Sequence, residues 1–197
     1  MADSAKKLAT YEDVLNAPAH MVAELIAGEL RLQPRPAKPH AAAATALSEE
    51  LGPPFKRGRG GPGGWIILYE PELHFGRDVL VPDLAGWRRE RMPSLLADET
   101  YFTLAPDWIV EVLSPSTEKF DRTDKLSIYA RQGVPWAWLV EPLNHTLEVL
   151  QLGADGNWIL RAAFRDDAVV RAQPFDAIEL DLSILWADVI IPGAPTK

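Results

Sequence analysis

Glu111 interrupts the apolar run Trp108-Ile109-Val110-Glu111-Val112-Leu113, where a strand is expected. A carboxylate in such a strand loses its hydration at a cost of several kcal/mol unless it is paired or bound to a metal. Residues two apart share a strand face, so Leu113 points with Glu111, while Val112 points away and leaves its carbonyl available. A carboxylate at a frayed strand end, or one neutralised by a helix lysine without catalysis, would look the same in sequence. Asp83 follows Val79-Leu80-Val81-Pro82, where a proline bends a strand and can project the next side chain towards a neighbouring strand's end. An Asp after Pro is also an ordinary turn former, and it is the coincidence with Glu111 that makes it a candidate. Lys125 falls on the helix expected next, with Ile128 and Tyr129 three and four residues on, so its stem can cross apolar surface and return its ammonium to the strand end. A solvated helix lysine is the plain alternative. Two carboxylates from adjacent strands, a strand carbonyl and a lysine are what phosphodiester hydrolysis asks for. They supply hard oxygen ligands for Mg²⁺ or Mn²⁺, a metal-activated water and a cation near the developing charge.

Other chemistries are poorly served. The 197 residues include no cysteine, which excludes a thiol nucleophile, a disulfide framework and a Cys-based zinc site. Ser114 and Ser116 read as turn and cap residues, since no histidine is placed to activate them. His20, His74 and His145 show no metal-ligand spacing and are expected at the surface or in turns. Of the seven tryptophans, Trp108, Trp136 and Trp138 fall in expected core strands, while Trp65 and Trp87 stay open as base-stacking surfaces. The net charge of −8 has the wrong sign for general phosphate binding, so any such contact must be local. Lys56, Arg57 and Arg59 read as solvated loop charges. Arg88, Arg89 and Arg91, soon after Asp83, are the candidate nucleic-acid contacts.

The elements that would position these groups follow from local pattern. Met21 to Gln33 predicts a hairpin about the Ala27-Gly28 turn, and His40 to Leu51 a helix stopped by Gly52-Pro53-Pro54. A glycine-rich loop, Gly58 to Gly64, precedes strands at Trp65 to Tyr69, Glu72 to Phe75 and Val79 to Trp87, the last broken by Pro82. Asp107 to Leu113 should be a central strand buried on both faces. Asp121 to Gln132 reads as a helix with Asp121 as N-cap and Gly133 past its end, and Trp136 to Val140 as a second buried strand, completing a βαβ unit. Thr146 to Leu152, Trp158 to Phe164 and Ile178 to Leu182 alternate as further antiparallel strands. The apolar Leu182 to Ile191 run either closes the core or forms a homodimer contact. One domain over residues 1–197 is the default for this length and its 47% hydrophobic content. The polar N-terminus shows no signal-peptide or membrane-spanning run, and a soluble cytoplasmic protein is expected.

Glu24-Leu25-Ile26-Ala27-Gly28-Glu29-Leu30, Val81-Pro82-Asp83-Leu84, Glu111-Val112-Leu113-Ser114-Pro115-Ser116-Thr117, Asp121-Arg122 to Lys125 and Tyr129, and Gly133-Val134-Pro135 to Trp138-Leu139-Val140 together resemble the bacterial restriction-endonuclease family called Uma-two, within the PD-(D/E)xK nuclease superfamily. The resemblance runs from about Tyr11 to about Leu152. It implies an α/β (α+β) restriction-endonuclease-like core, a mixed central sheet flanked by helices, with the N-terminal hairpin and the C-terminal strands added. On that pattern Asp83 and Glu111 are the metal ligands and Val112 offers a carbonyl. Leu113 stands where the superfamily's lysine would, and the resemblance gives that role to Lys125. It also brings in Glu24 and His40 as candidates near the metal, with Glu29 a weaker one.

Two functions of different class follow. One is a Mg²⁺- or Mn²⁺-dependent endonuclease acting on nucleic acid, DNA foremost. The other is a non-catalytic binding or regulatory module in which Glu111 and Lys125 form a buried ion pair, a reading favoured by the acidic surface and the missing in-strand lysine.

Overall fold

A computed structural model describes residues 8–189. A short helix α1 (Tyr11–Leu15) leads into the hairpin β1 (Met21–Ile26) and β2 (Glu29–Pro34), followed by α2 (Lys38–Leu51). Strands β3 (Trp65–Tyr69), β4 (Leu73–Phe75), β5 (Asp78–Leu80), β6 (Leu84–Arg88) and β7 (Trp108–Val112) come next. A helical rod of α3 (Glu118–Phe120), a π-helical turn (Asp121–Lys125) and α4 (Leu126–Arg131) connects to β8 (Trp136–Glu141). The chain ends in β9 (Thr146–Leu152), β10 (Trp158–Arg165), β11 (Val169–Val170), β12 (Leu180–Asp181) and a 3₁₀ turn, Leu182–Leu185.

Two sheets carry the architecture. Six strands lie in the order β10-β9-β8-β7-β6-β3, with β7 and β8 parallel across the α4 crossover and the other pairs antiparallel, which makes the sheet mixed. Four more, β2-β1-β5-β4, form a smaller antiparallel sheet. The chain passes from the smaller sheet to the larger between β5 and β6, through Val81-Pro82-Asp83.

Alternation along β7 sorts the core. Trp108, Val110 and Val112 face α2, with Ala44, Leu47, Leu51, Trp138 and the C-terminal Leu182, Leu185 and Trp186. Ile109 and Leu113 face α4, with Leu126, Ile128, Tyr129 and Trp87. Glu111 therefore looks towards the crossover helix. Gly86 of β6 is the narrow point of the α2 side, because a Cβ there would lie 3.1 Å from Trp108 Cε3 and 3.2 Å from Trp65 Cε3. Gly86→Val is expected to lower stability by about 1–3 kcal/mol through overpacking. Urea unfolding reads it, and an unchanged midpoint would mean that the two indoles yield freely.

Three expectations change. The helix ending at Leu51 does not stop at Gly52 but runs on through a π-helical turn, Gly52–Lys56, closed by Arg57 N–H donating to the Gly52 carbonyl at 3.1 Å. Pro53 and Pro54 are tolerated because they open that turn, where a backbone N–H is not required. Asp121 is not an N-cap: the helical rod begins earlier, with Thr117 before Glu118, and Asp121 lies inside it, buried. The Ile178 to Leu182 strand shrinks to Leu180–Asp181. Leu182, Leu185 and Trp186 close the core, whereas Ile190 and Ile191 and the first residues of the N-terminal segment lie outside the described residues. Among the described residues no helix is long and apolar enough to cross a membrane.

Candidate active site

Pro82 has no N–H to continue a ladder, and two carboxylates take over the strand bonds around it. Asp83 Oδ2 accepts the Val112 N–H at 2.7 Å, and Oδ1 lies 2.5 Å from His40 Nε2 on the first turn of α2. Glu24 of β1, 1% exposed, accepts the Val81 N–H at 2.8 Å through Oε1 and the Gln33 side-chain amide at 3.0 Å through Oε2. Leu84 pairs with Val110, so one further step along the register sets Asp83 across from Glu111. Both belong to the α4 face, where the two sheets join.

The crossover helix supplies the cation. Lys125 Nζ lies 2.8 Å from Glu111 Oε2, 3.1 Å from Glu24 Oε1 and 3.5 Å from Asp121 Oδ1, and the Tyr129 hydroxyl donates to Glu111 Oε1 at 2.7 Å. Asp121, Lys125 and Tyr129 are four apart on one stripe, and the π-helical turn ends at Lys125. One lysine thus serves three buried carboxylates. Burial works against its charge, but Glu111, Glu24, Tyr129 and Asp121 together outweigh burial and hold its pKa well above the ordinary 10.5. For the acids burial wins: it raises Glu111 well above 4.5 despite Lys125, with Asp121, Asp83 and Glu24 adding to the rise, and it also raises Glu24 and Asp121.

An acid with a raised folded pKa binds its proton more tightly folded than unfolded. Its contribution is complete below the ordinary carboxylate values of 4.5 for Glu and 3.8 for Asp, and is lost as pH rises through the raised folded values. Lys125 contributes fully below 10.5 and loses its contribution only above it. In chelator, stability is therefore expected to fall as pH rises above the ordinary carboxylate range, and Glu111→Gln to flatten that fall. Denaturant midpoints across pH test this, and identical profiles for the two proteins would contradict it.

Glu24, His40, Asp83, Glu111, Asp121 and Lys125 line a cavity of about 300 Å³ together with Gln33, Arg35, Glu70, Val112 and the Ser114–Thr117 turn. Glu24, His40, Asp83, Glu111, Val112 and Lys125 thus come together. Arg88, Arg89 and Arg91 do not, because they lie at and beyond the opposite end of β6, roughly 17 Å of strand from Asp83. Arg88 covers the Trp65 ring and Arg91 pairs with Asp107 at 2.7 Å. Glu29 sits at the hairpin tip, bonded to Arg31. Ser114, Ser116 and Thr117 form the expected turn, with the Ser114 hydroxyl 3.0 Å from each of the other two. Trp65 and Trp87 are core residues, 3% and 0% exposed, so neither offers a stacking surface. His74 is no turn residue: it lies in β4, stacked on Tyr101 and 2.7 Å from Glu72. Sequence reasoning missed Asp121, Tyr129, Gln33, Arg35 and Glu70. The four-residue spacing of Asp121, Lys125 and Tyr129 was the available signal for the first two.

Carboxylates gathered at a strand break, a lysine from the crossover helix and a mixed sheet behind them belong to a restriction-endonuclease-like α+β fold. The chain is a member of the Uma2 family, described as "putative restriction endonuclease", whose match spans residues 8–184. This is wider than the stretch carrying the sequence resemblance. The fold is similar to that of a crystal structure described as a putative nuclease belonging to DUF820 from Anabaena variabilis ATCC 29413. The identity is 24%, the match covers 91% of this chain and 98% of that one, and the TM-score is 0.73. No match was found among curated proteins.

Proposed function

We propose that the protein is a divalent-metal-dependent endonuclease that hydrolyses phosphodiester bonds, with DNA as the substrate its family points to, and that residues 1–197 act as one domain. The observation that carries the reading is the facing pair Asp83 and Glu111, opposed across two strands in one cavity with a buried lysine 2.8 Å from Glu111.

The donor set fits Mg²⁺ or Mn²⁺. Among the described residues no three His, Asp or Glu side chains form a ready-made metal cage. Mg²⁺ commonly takes one or two carboxylates and fills its shell with water and substrate phosphate. Asp83, Glu111 and the Val112 carbonyl would hold it. A carboxylate has about four lone-pair sites, so the bonds of Glu111 to Lys125 and Tyr129 leave it able to coordinate. Glu24, Asp121, Asp83 and Glu111 outnumber Lys125, and a dication would offset much of the remaining negative charge. When bound, the metal supplies Lewis acidity and a water acidified for attack. The chain's own residues do the rest. His40 and the Val112 N–H fix Asp83, Tyr129 and Lys125 fix Glu111, and the Lys125 ammonium stabilises negative charge developing on the phosphate or orients the attacking water.

Calorimetric Mn²⁺ titration beside plasmid nicking at low salt tests this, with saturable binding and metal-dependent nicking expected. The engagement of both Glu111 oxygens by Lys125 and Tyr129 favours the second reading, a binding module with a structural ion pair. Absence of Mn²⁺ binding by the folded protein would decide for it.

A further inference from the structure

An acidic protein that cuts nucleic acid needs at least one cation free to meet the phosphate, and the cavity identifies it. Five carboxylates line the space: Glu24, Glu70, Asp83, Glu111 and Asp121. Lys125 is 3% exposed and shared among three of them, and His40 is engaged by Asp83. The other cation lining the cavity is Arg35, whose side chain is 57% exposed and makes a single contact with Glu70 at 3.3 Å. An exposed, single-contact ion pair of this kind is weak and readily exchanged.

Its backbone is set with more care than its side chain. Arg35 lies between Pro34 and Pro36, which confine the strap to extended geometry. The strap is tied to the site at both ends. Gln33 bonds Glu24 on one side, and Ala37 opens α2, which carries His40 to Asp83, on the other. Glu70 is tied in the same way, since its N–H donates to the Asp83 carbonyl at 3.0 Å. It also holds φ at +43°, a strained conformation for a residue with a side chain. Both partners of the weak pair are thus anchored to the residues that carry the proposed chemistry.

We propose that Arg35 binds the substrate's phosphodiester at the cavity mouth and that Glu70 holds the guanidinium in place until a phosphate displaces it. A phosphodiester offers the fork of two oxygens that guanidinium binds best, and the exchange replaces one single-contact pair with a two-bond one. The inference rests on the nuclease reading and adds a substrate-binding residue to it.

The test uses the whole protein with a fluorescently labelled DNA duplex, read by anisotropy in chelator and by steady-state cleavage with Mn²⁺. Arg35→Ala should raise KM roughly tenfold with kcat little changed. The slope of log affinity against log salt should become shallower by about 0.7–0.9, the loss of one phosphate contact. Arg35→Lys should recover part of the affinity. Glu70→Gln should tighten binding, and the gain should vanish in the Arg35→Ala background, because Glu70 acts through Arg35. If wild type cleaves but Arg35→Ala keeps its KM and salt slope, this inference is wrong and the nuclease reading stands. A tightening by Glu70→Gln that persists without Arg35 would also overturn it, since simple charge repulsion would then explain the effect. If wild type neither binds nor cleaves, the proposed function falls and the inference with it.

Discussion

Lys125→Met is expected to cost the fold about 3–5 kcal/mol, because it leaves buried carboxylates without their cation. Glu24, Glu111 and Asp121 all lie within 3.5 Å of the ammonium. In a chain of this length the loss corresponds to a fall in melting temperature of about 6–20 °C. Methionine keeps much of the stem's volume, so the effect reports charge rather than a cavity. Lys125→Met combined with Glu111→Gln should recover part of the loss, and recovery should improve at lower pH, where the remaining acids take up protons. A loss of less than about 1 kcal/mol, the range of exposed pairs, would mean that water reaches the cluster in solution.

Asp83→Asn has the largest expected effect on activity. The amide oxygen can still accept the Val112 N–H, whereas Asp83→Ala would leave a buried donor unpaired at a cost of about 1–3 kcal/mol. The asparagine variant therefore separates chemistry from folding. Loss of a partner that merely orients a metal ligand reduces affinity or activity roughly 10–100-fold. Loss of the ligand's charge should exceed that, and Mn²⁺ binding and nicking should disappear together at an unchanged denaturant midpoint. Retained binding in Asp83→Asn would move the metal elsewhere, to Glu24 or Asp121, the other buried acids of the cavity beside Glu111.

Much of this arrangement is legible in the sequence. Glu111 announced itself because a charge in a two-face-buried strand needs a partner, and the stem of Lys125 was directed to it by helical spacing. The hairpin, the βαβ unit and the break at Pro82 all rest on local signals of turn, period and proline. The misses have a common cause, which is that their evidence is non-local. Asp121 looks like a helix cap because caps favour Asp. Only the earlier start of the rod at Glu118, set by the Ser114–Thr117 turn, moves it inside. Arg88, Arg89 and Arg91 are near Asp83 in sequence but lie at and beyond the far end of the strand. Arg35 sits in a proline-rich strap, and nothing local says what that strap covers. Trp65 and Trp87 stayed open until the β3–β6 pairing buried both.

The joint between the sheets has a consequence for descent. Asp83 and Glu24 do a mason's work as well as a chemist's, since each bonds a backbone amide that Pro82 and the strand break leave over. A lineage that abandoned nucleic-acid cleavage would still be held to these two acids by the architecture. Arg35 and Glu70 bond each other by side chains that hold up no strand amide, so they would be released to drift. The age of a silenced relative is then written first in the strap, while its acids still look intact.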